Sequence, residues 1–291
     1  MNAGFVILNY NSWKQTSALA VKVASFKCID CIIIVDNNST DDSFANLKAL
    51  ANSKIRIYET GRNGGYSSGN NVGAKVLFEE GVEIIFFSNP DVDVNEDSIL
   101  RIINAFRSEK YSVISCVEYD SNDKVVKPAF WNLPSYFDDL RDCFLIGRLG
   151  RNNDSNMIDP NVFIQTVPVI KGSFLAVNAK EFFEVKGFDE NVFLYCEERI
   201  LARKMADKGY RLGIVTGAKF HHNHSASIEK AYSSAAKRVK ILYQSRMYYN
   251  KEYNHIGLFR RAVLRIAMMY SLLEYLVIGV VKQIKSRTFV C

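Results

Sequence analysis

The sequence predicts an α/β fold with a mainly parallel central sheet flanked by helices, followed by a C-terminal helical extension. Short apolar runs alternate with helical patterns through the first 115 residues, and these runs are continuously apolar. Strands of that kind are buried on both faces, as in parallel sheets with helical crossovers. A basic and apolar segment after residue 228 is typical of further helices.

The elements follow from local periodicity. Apolar runs bounded by turn residues predict strands at Phe5–Leu8, Cys31–Val35, Ile55–Tyr58, Val82–Phe87, Val169–Ile170, Phe174–Val177 and Leu212–Val215. Helical periodicity predicts helices at Trp13–Phe26, Asp42–Ala51, Tyr66–Glu80, Glu96–Ser108 and Glu197–Lys208. Between Glu118 and Val167 the periodicity fails, and we expect a substrate-facing loop region there.

Composition and charge limit the classes of protein. With 291 residues, 48% hydrophobic, 23% charged and five prolines, the chain is globular rather than disordered or collagen-like. The net charge of +6 is uneven, because eleven Lys and Arg face two acids between Lys237 and Cys291. This suggests an anionic partner, although a solvated basic helix face explains it equally well. Six cysteines spread through apolar runs and no secretory signal predict a cytoplasmic protein.

Polar segments follow each of the first four strands. They are Asn9–Ser12, Asp36–Asp41, Gly61–Gly65 and Ser88–Asp93. Each alone could be an ordinary turn, but four at one sheet edge predict a binding site, because ligands bind at the carboxyl ends of parallel strands. Glycines at the following helix start allow close approach of an anionic ligand. Neither a dinucleotide fingerprint nor a P-loop lysine motif is present.

Two pairs of carboxylates are candidates for chemistry. Asp91 and Asp93 alternate along an extended segment, an arrangement that suits a divalent cation, although solvated turn aspartates look the same. Glu197 and Glu198 open a helix, where neighbouring carboxylates raise one another's pKa and serve as a general base, or simply complement the helix dipole. The late cluster His221–His224 could supply a metal ligand or a diphosphate contact.

These motifs form a co-linear set from about Phe5 to Ser227. The set comprises Val6–Asn11, Val35–Asp41, Asn63–Tyr66, Gly69–Gly73, Ser88–Asp93, Gly187–Glu190, Tyr195–Glu198 and the histidine cluster. It resembles the family 2 glycosyltransferases of GT-A fold, particularly rhamnosyltransferase-like enzymes of bacterial surface polysaccharides. The resemblance implies a catalytic domain at 1–227, with a nucleotide-binding half at 1–115 and an acceptor and catalytic half at 116–227. Residues 228–291 form the extension.

The resemblance also implies a donor pocket. Asp36 and Asn63 would contact the base and ribose of the donor nucleotide, and Asn9 and Asn11 would line the same pocket. The other residues expected to contact the donor are Gly65, Asn70, Asn89, Asp91, Lys171 and Gly172.

Metal and base assignments follow from the same resemblance. Mg²⁺ or Mn²⁺ would be held by Asp91 and Asp93, with His224 from the late cluster. The family's Glu-Asp pair is replaced here by two glutamates, of which we expect Glu198 to be the base and Glu197 to be the alternative.

The implied function is inverting transfer of a sugar from a UDP-, dTDP- or GDP-linked donor to a hydroxyl of a glycan or lipid-linked acceptor, in O-antigen or capsule-type polysaccharide synthesis. An inactive GT-A scaffold that binds nucleotide sugars or glycans is an alternative. A nucleotidyltransferase would need a glycine-rich basic loop after the first strand, and Asn9–Trp13 is not one. No module for nucleic acid surrounds the basic tail, so no nucleic-acid partner is expected.

Ala262–Ile284 is a long apolar stretch interrupted by Arg265, Glu274 and Lys282. It falls short of the roughly 20 apolar residues that span a bilayer. We expect helices lying on the cytoplasmic face of the inner membrane, with packing on the catalytic domain or at a dimer interface as the alternative.

Overall fold

The computed structural model describes residues 1–149, 156–222 and 235–288, with side chains to residue 276 in the last range. The chain divides into two compact units. Unit 1 consists of Met1–Leu133, Asn153–Phe193 and Glu197–Ser227. Unit 2 consists of Pro134–Asn152, Leu194–Cys196 and Ile228–Cys291.

Unit 1 contains a nine-stranded sheet. Its strands are β1 (Ala3–Asn9), β2 (Cys31–Asp36), β3 (Ile55–Glu59), β4 (Ile84–Ser88), β5 (Val92–Val94), β6 (Val113–Tyr119), β7 (Ile164–Thr166), β8 (Phe174–Asn178) and β9 (Leu212–His222). The order is β3-β2-β1-β4-β8-β6-β9-β5, with β7 also on β9. Neighbours from β3 to β4 are parallel, and so are β6 and β9. Strand β8 is antiparallel to both β4 and β6.

The helices follow in chain order. They are α1 (Trp13–Ala24), α2 (Ser43–Lys48), α3 (Gly65–Glu79), α4 (Glu96–Ser108), α5 (Tyr136–Arg141), α6 (Leu145–Leu149), α7 (Ala179–Glu184), α8 (Glu197–Asp207), α9 (Ala235–Glu252) and α10 (Leu258–Thr288). The predicted α/β fold class is confirmed, and the predicted C-terminal extension consists of α9 and α10.

The core of unit 1 lies on the sheet. Phe5, Phe86 and Phe174 come from three adjacent strands, and Phe86 stacks on the other two at centroid distances of 5.9 and 6.1 Å. Ile32 and Ile33 point to opposite faces of β2 and are both fully buried. Helices therefore cover both faces of this strand, as its continuous apolar pattern predicts.

Unit 2 has its own small core. Tyr136, Tyr243, Leu264 and Met268 are buried in one cluster. Beside it, Nε of Arg246 on α9 lies 3.3 Å from Oδ1 of Asp139 on α5. Both side chains are buried. No helix within the described part of the chain is both long and apolar enough to cross a membrane.

Candidate active site

The carboxyl ends of β1 and β2 are joined by buried hydrogen bonds. Asn9 and Asp36 are both fully buried, and Nδ2 of Asn9 donates to Oδ1 of Asp36 over 2.7 Å. The hydroxyl of Ser39 donates to the same oxygen over 2.6 Å, and its amide donates to the other oxygen over 3.0 Å. Oδ1 of Asn9 accepts from the hydroxyl of Thr16 over 2.7 Å. These bonds fix the two loops at the edge of the sheet.

Asn11 and Thr40 tie the same loops together nearer to solvent. Asn11 has a φ of 52°, a left-handed conformation that asparagine tolerates better than most residues. Its Nδ2 donates to Oγ1 of Thr40 over 3.0 Å, and its Oδ1 accepts from the Thr40 amide over 2.8 Å. Asn11 therefore lies on an ordered rim beside the Asn9 and Asp36 pair.

Asn37 connects this rim to the start of α3. Its Nδ2 donates to Oδ1 of Asn63 over 3.0 Å and to the carbonyl of Gly65 over 3.1 Å. The amide of Gly64 donates to Asn37, and the amide of Gly65 donates to Asn63. The amides that the sequence predicted to face an anionic ligand thus have protein partners, because two asparagines cap this helix.

Position 65 requires glycine because of its local backbone structure. Gly65 has a φ of 83°, and a Cβ there would lie 1.9 Å from the carbonyl oxygen of Phe193. The amide of Tyr66 donates to that oxygen over 3.0 Å. The close approach is therefore between two backbone segments, and any side chain at position 65 would separate them.

Tyr66 links the start of α3 to the turn at residues 171–173. Its hydroxyl donates to the carbonyl of Gly172 over 2.7 Å, and its ring meets Phe188 edge-on at 5.4 Å. Burial, together with the charges of nearby carboxylates, raises the pKa of Tyr66 well above its usual range, so the phenol stays a neutral donor. The amide of Asn89 donates to the carbonyl of Ser173 over 2.9 Å. The turn is thereby held on the same edge as the end of β4.

Glu197 and Glu198 lie at the first turn of α8, next to this turn. Glu197 is 6% exposed, and its Oε2 has no hydrogen-bond partner among the described residues. A Cβ added to Gly172 would lie 3.0 Å from Cγ of Glu198, which places that side chain against the 171–173 turn. Tyr195 and Cys196, immediately before α8, have φ values of 68° and 70°, an uncommon conformation for two successive non-glycine residues.

The two glutamates differ in their electrostatics. Burial and the adjacent charge of Glu198 raise the pKa of Glu197 well above its usual range. Burial also raises the pKa of Glu198, but the backbone amides of Glu198 and Gly172 oppose this by hydrogen bonding to the carboxylate. Glu198 is also partly exposed to solvent. Burial thus raises the pKa of both carboxyls, and Glu198 is the one of the pair that solvent reaches.

A line of four charged side chains, each in contact with the next, lies at the same sheet edge: Lys171, Glu118, His222 and Asp91. Nε2 of His222 lies 3.2 Å from Oδ1 of Asp91, and its Nδ1 lies 3.0 Å from Oε1 of Glu118. The ammonium of Lys171 lies 2.8 Å from the other oxygen of Glu118. Burial opposes protonation of the imidazole, but the hydrogen bonds to Asp91 and Glu118 outweigh it and raise the pKa of His222 to about 9. Burial alone would raise the pKa of Glu118, yet His222 and Lys171 lower it.

Two of these four side chains, Asp91 and His222, are suitable ligands for a divalent cation. Asp91 offers a carboxylate that is 8% exposed, and Nε2 of His222 lies beside it. Nδ1 of His222 faces a carboxylate, which is the usual arrangement of a metal-binding histidine. Among the side chains that the structure describes, no three His, Cys, Asp or Glu form a complete metal cluster.

Two residues predicted for the site, Asp93 and Asn70, have other partners in the structure. Asp93 on β5 is 52% exposed and pairs with Lys22 of α1. Asn70 is 1% exposed, and its Nδ2 donates to the carbonyl of Tyr66 within α3. His224 lies outside the described residues.

Two residues of the edge were not selected from the sequence. Glu118 is the last residue but one of β6, a strand that the sequence analysis did not predict, and it was treated as the start of a loop region. Tyr66 was assigned only to the predicted helix. The signal that could have found Glu118 is its position directly after an apolar run, as for Asp36 and Asp91.

Comparisons with known proteins agree with this geometry. The family model described as Glycosyl transferase family 2 matches residues 5–164, more than half of the chain. The rhamnosyltransferase WbbL of Escherichia coli is 24% identical over 204 residues, which cover 66% of this chain and 75% of that protein. The dTDP-rhamnosyl transferase RfbF of Shigella flexneri is 24% identical over 226 residues, which cover 75% of this chain and 67% of that protein.

A solved structure shares the fold. The mannosyltransferase PcManGT from Pyrobaculum calidifontis, in complex with GDP-Man and Mn²⁺, aligns with a TM-score of 0.59 at 15% identity. The alignment covers 95% of this chain and 73% of that one. The fold is the GT-A fold that the sequence predicted. With a family match over more than half of its length and this fold, the chain belongs to glycosyl transferase family 2.

Proposed function

We propose that the protein is an inverting glycosyltransferase. It moves a sugar from a nucleotide-diphosphate donor to a hydroxyl of a glycan or lipid-linked acceptor, in synthesis of a cell-surface polysaccharide at the cytoplasmic face of the membrane. The observation that carries this proposal is the pair of buried Glu197 and partly exposed Glu198 against the 171–173 turn, which the Asn89 amide holds at the end of β4. A base beside the carboxyl end of a parallel strand suits chemistry on a ligand bound at that edge.

The donor class is proposed from the relatives. Two of them are named as rhamnosyltransferases, and one of these names specifies dTDP. We therefore take dTDP-rhamnose as the first donor to test, with UDP- and GDP-linked hexoses as competitors. Similar pocket shapes separate related sugars by only about 1–3 kcal/mol per group, so the panel has to include them.

The nucleotide is proposed to bind at the ends of β1, β2 and β3. Asn9 and Asp36 are already hydrogen-bonded to each other, and a carboxylate accepts more than the bonds it makes here. Asn11 and Asn63 flank the pair on the fixed rim. Binding to loops that are already ordered costs little conformational entropy.

The diphosphate and the sugar are proposed to face the part of the sheet edge where Lys171, Glu118, His222 and Asp91 lie. Lys171 supplies positive charge there, although it is now paired with Glu118. Asn89 follows β4, and its amide donates to the carbonyl of Ser173 in the 171–173 turn, next to Gly172. A cation of this kind stabilises the charge that develops on a leaving diphosphate.

Glu198 is proposed to remove the proton from the attacking acceptor hydroxyl. Its pKa is raised from the usual range by burial, which makes the carboxylate a stronger base, while two backbone amides keep the ionised form accessible. Attack from the side of Glu198, opposite the diphosphate, inverts the anomeric centre. Glu197 remains buried beside it, and the adjacent charge of Glu198 helps to raise the pKa of Glu197.

Mg²⁺ or Mn²⁺ is proposed to be held by Asp91 and His222. Asp93 reaches that position only after leaving Lys22. The ion would neutralise charge on the diphosphate as a Lewis acid. A bound cation needs neutral His222, so it competes with the proton that the imidazole carries below pH about 9.

A thermal-shift panel tests donor binding. Each of dTDP-rhamnose, UDP-glucose and GDP-mannose is added with and without Mn²⁺, because a ligand that binds the native state raises the unfolding temperature. We expect a metal-dependent increase with one donor that is absent in Asp36→Ala. If none of the donors changes the unfolding temperature, the proposal is contradicted.

A further inference from the structure

The C-terminal helix α10 carries an exposed apolar face, named here the outer face. Its members are Leu258, Phe259, Ile266, Met269, Leu273 and Leu276. Their side chains are between 52% and 81% exposed. From Phe259 onward they recur at intervals of seven, three, four and three residues, so they lie along one side of the helix. The face is about 28 Å long at 1.5 Å per residue.

The opposite side of α10 already has its partners. Leu264, Ala267 and Met268 are buried in the core of unit 2, where Tyr243 and Tyr136 contact them. The hydroxyl of Tyr243 also donates to the buried Ser271 over 2.6 Å. The helix is therefore apolar on two sides, of which unit 2 uses one. A helix of this kind is normally covered on both.

Helix α6 extends the outer face sideways. The ring of Phe144, just before α6, lies 5.8 Å from the ring of Tyr270 on α10. Ile146 and Leu149 on α6 are 86% and 76% exposed. Apolar side chains of both helices are therefore exposed within unit 2, in a larger set than the scattered single residues of ordinary surfaces.

The charges around the outer face have one sign. Arg265 is exposed beside it, whereas Arg260 lies on the other side of the helix, over the rings of Tyr136 and Phe137. The only acid of α10 is Glu274, which is 17% exposed and paired with Arg148 over 2.6 Å. The sequence after Glu274 adds Lys282, Lys285 and Arg287 and no acid. An occupant of this face therefore has to be apolar in the middle and anionic at its border.

We propose that the outer face of α10 docks on the surface of a membrane that contains anionic lipids. The helix lies in the plane of the interface, with its aliphatic side chains among the acyl chains and Arg265 at the lipid phosphates. A second copy of the chain fits less well, because two basic borders would face each other in a symmetric contact. This proposal does not depend on the proposed reaction, and its test needs neither donor nor acceptor.

Co-sedimentation of the full chain with vesicles tests the proposal. We expect the protein to pellet with vesicles of phosphatidylcholine and phosphatidylglycerol, more weakly with phosphatidylcholine alone, and less as salt rises. Ile266→Gln combined with Leu273→Gln should weaken binding at least tenfold, since two exposed apolar side chains no longer enter the lipid. Arg265→Gln should weaken it about fivefold, and Arg265→Lys should keep the binding of the wild type.

Matched controls carry the same changes in unit 1. Val21→Gln with Leu100→Gln replaces two exposed apolar side chains, and Lys48→Gln replaces one exposed cation. Both controls should bind vesicles as the wild type does. Equal binding by the α10 variants and the wild type would overturn the proposal. It would also be overturned if the wild type did not bind vesicles and formed a dimer in light scattering that Ile266→Gln with Leu273→Gln dissociates.

Discussion

Nε2 of His222 lies 3.2 Å from Oδ1 of Asp91, and both side chains are nearly buried. Strand β9 delivers the histidine and the end of β4 delivers the aspartate, so residues 131 positions apart meet at one sheet edge. Because the other ring nitrogen faces Glu118, the imidazole is held between two carboxylates. If His222 lost its proton and a divalent cation bound here, the cation would replace the imidazolium as the positive partner of Asp91.

This contact distinguishes Asp91 from Asp93. Asp91→Asn should lower turnover by about 10²-fold or more and abolish the stabilisation by Mn²⁺, whereas Asp93→Asn should keep turnover within about threefold. The physical reason is that Asp93 is 52% exposed and paired with Lys22, whereas Asp91 is 8% exposed beside His222. Turnover and Mn²⁺-dependent unfolding temperature check this. Equal losses in both variants would support the sequence-based expectation that Asp91 and Asp93 hold the metal together.

Burial of Glu197 predicts a stability gain on neutralisation. Its pKa is raised in the folded state, so the folded protein holds a proton that the unfolded chain loses at lower pH. Stability from this group is therefore complete below the unfolded pKa and is lost as pH rises towards the folded one. Glu197→Gln removes the loss and should unfold at a higher temperature than the wild type at pH 8.

The same difference should shrink as the pH falls below about 4.3, because the wild-type carboxyl is then protonated in the unfolded chain as well as in the folded protein. Thermal unfolding across this range measures it. A Glu197→Gln variant that is less stable than the wild type at pH 8 would contradict the electrostatic account of this pair.

Gly65 and Gly61 allow two reasons for glycine to be measured separately, namely a positive φ and a close contact with another backbone segment. Both have positive φ, of 83° and 70°, but only at Gly65 would a Cβ collide with the Phe193 carbonyl. Gly61→Ala should cost about 1–2 kcal/mol of unfolding free energy, the usual price of a left-handed alanine. Gly65→Ala should cost about 3 kcal/mol or more, because the contact with Phe193 must open. Equal costs in urea unfolding would argue against a tight contact.

The sequence was sufficient for the parts of the fold that depend on local pattern. The strand around Ile33 and the polar segment after it were predicted because continuous apolar runs and turn residues are local signals. The glutamate pair was predicted from its place at a helix start. Asp93 behaves differently because its environment depends on β5 pairing with β9 at the sheet edge and on Lys22 of α1, neither of which leaves a local signal.

Glu118 shows the same limit from the other direction. Its importance comes from contacts with Lys171 and His222, which are 53 and 104 positions away in the chain. No periodic pattern marks such a meeting, and composition predicts only that a buried carboxylate needs partners. The line of four charged side chains at this sheet edge is therefore a property of the tertiary structure.

The central claim is sugar transfer with Glu198 as the base, and release of nucleoside diphosphate tests it most directly. The purified chain is incubated with dTDP-rhamnose, Mn²⁺ and a hydroxyl acceptor, and the wild type is compared with Glu198→Gln and Glu197→Gln. The account predicts wild-type turnover, a loss of about 10²–10⁴-fold in Glu198→Gln and a smaller loss in Glu197→Gln. Near wild-type turnover in Glu198→Gln, with the larger loss in Glu197→Gln, would contradict it.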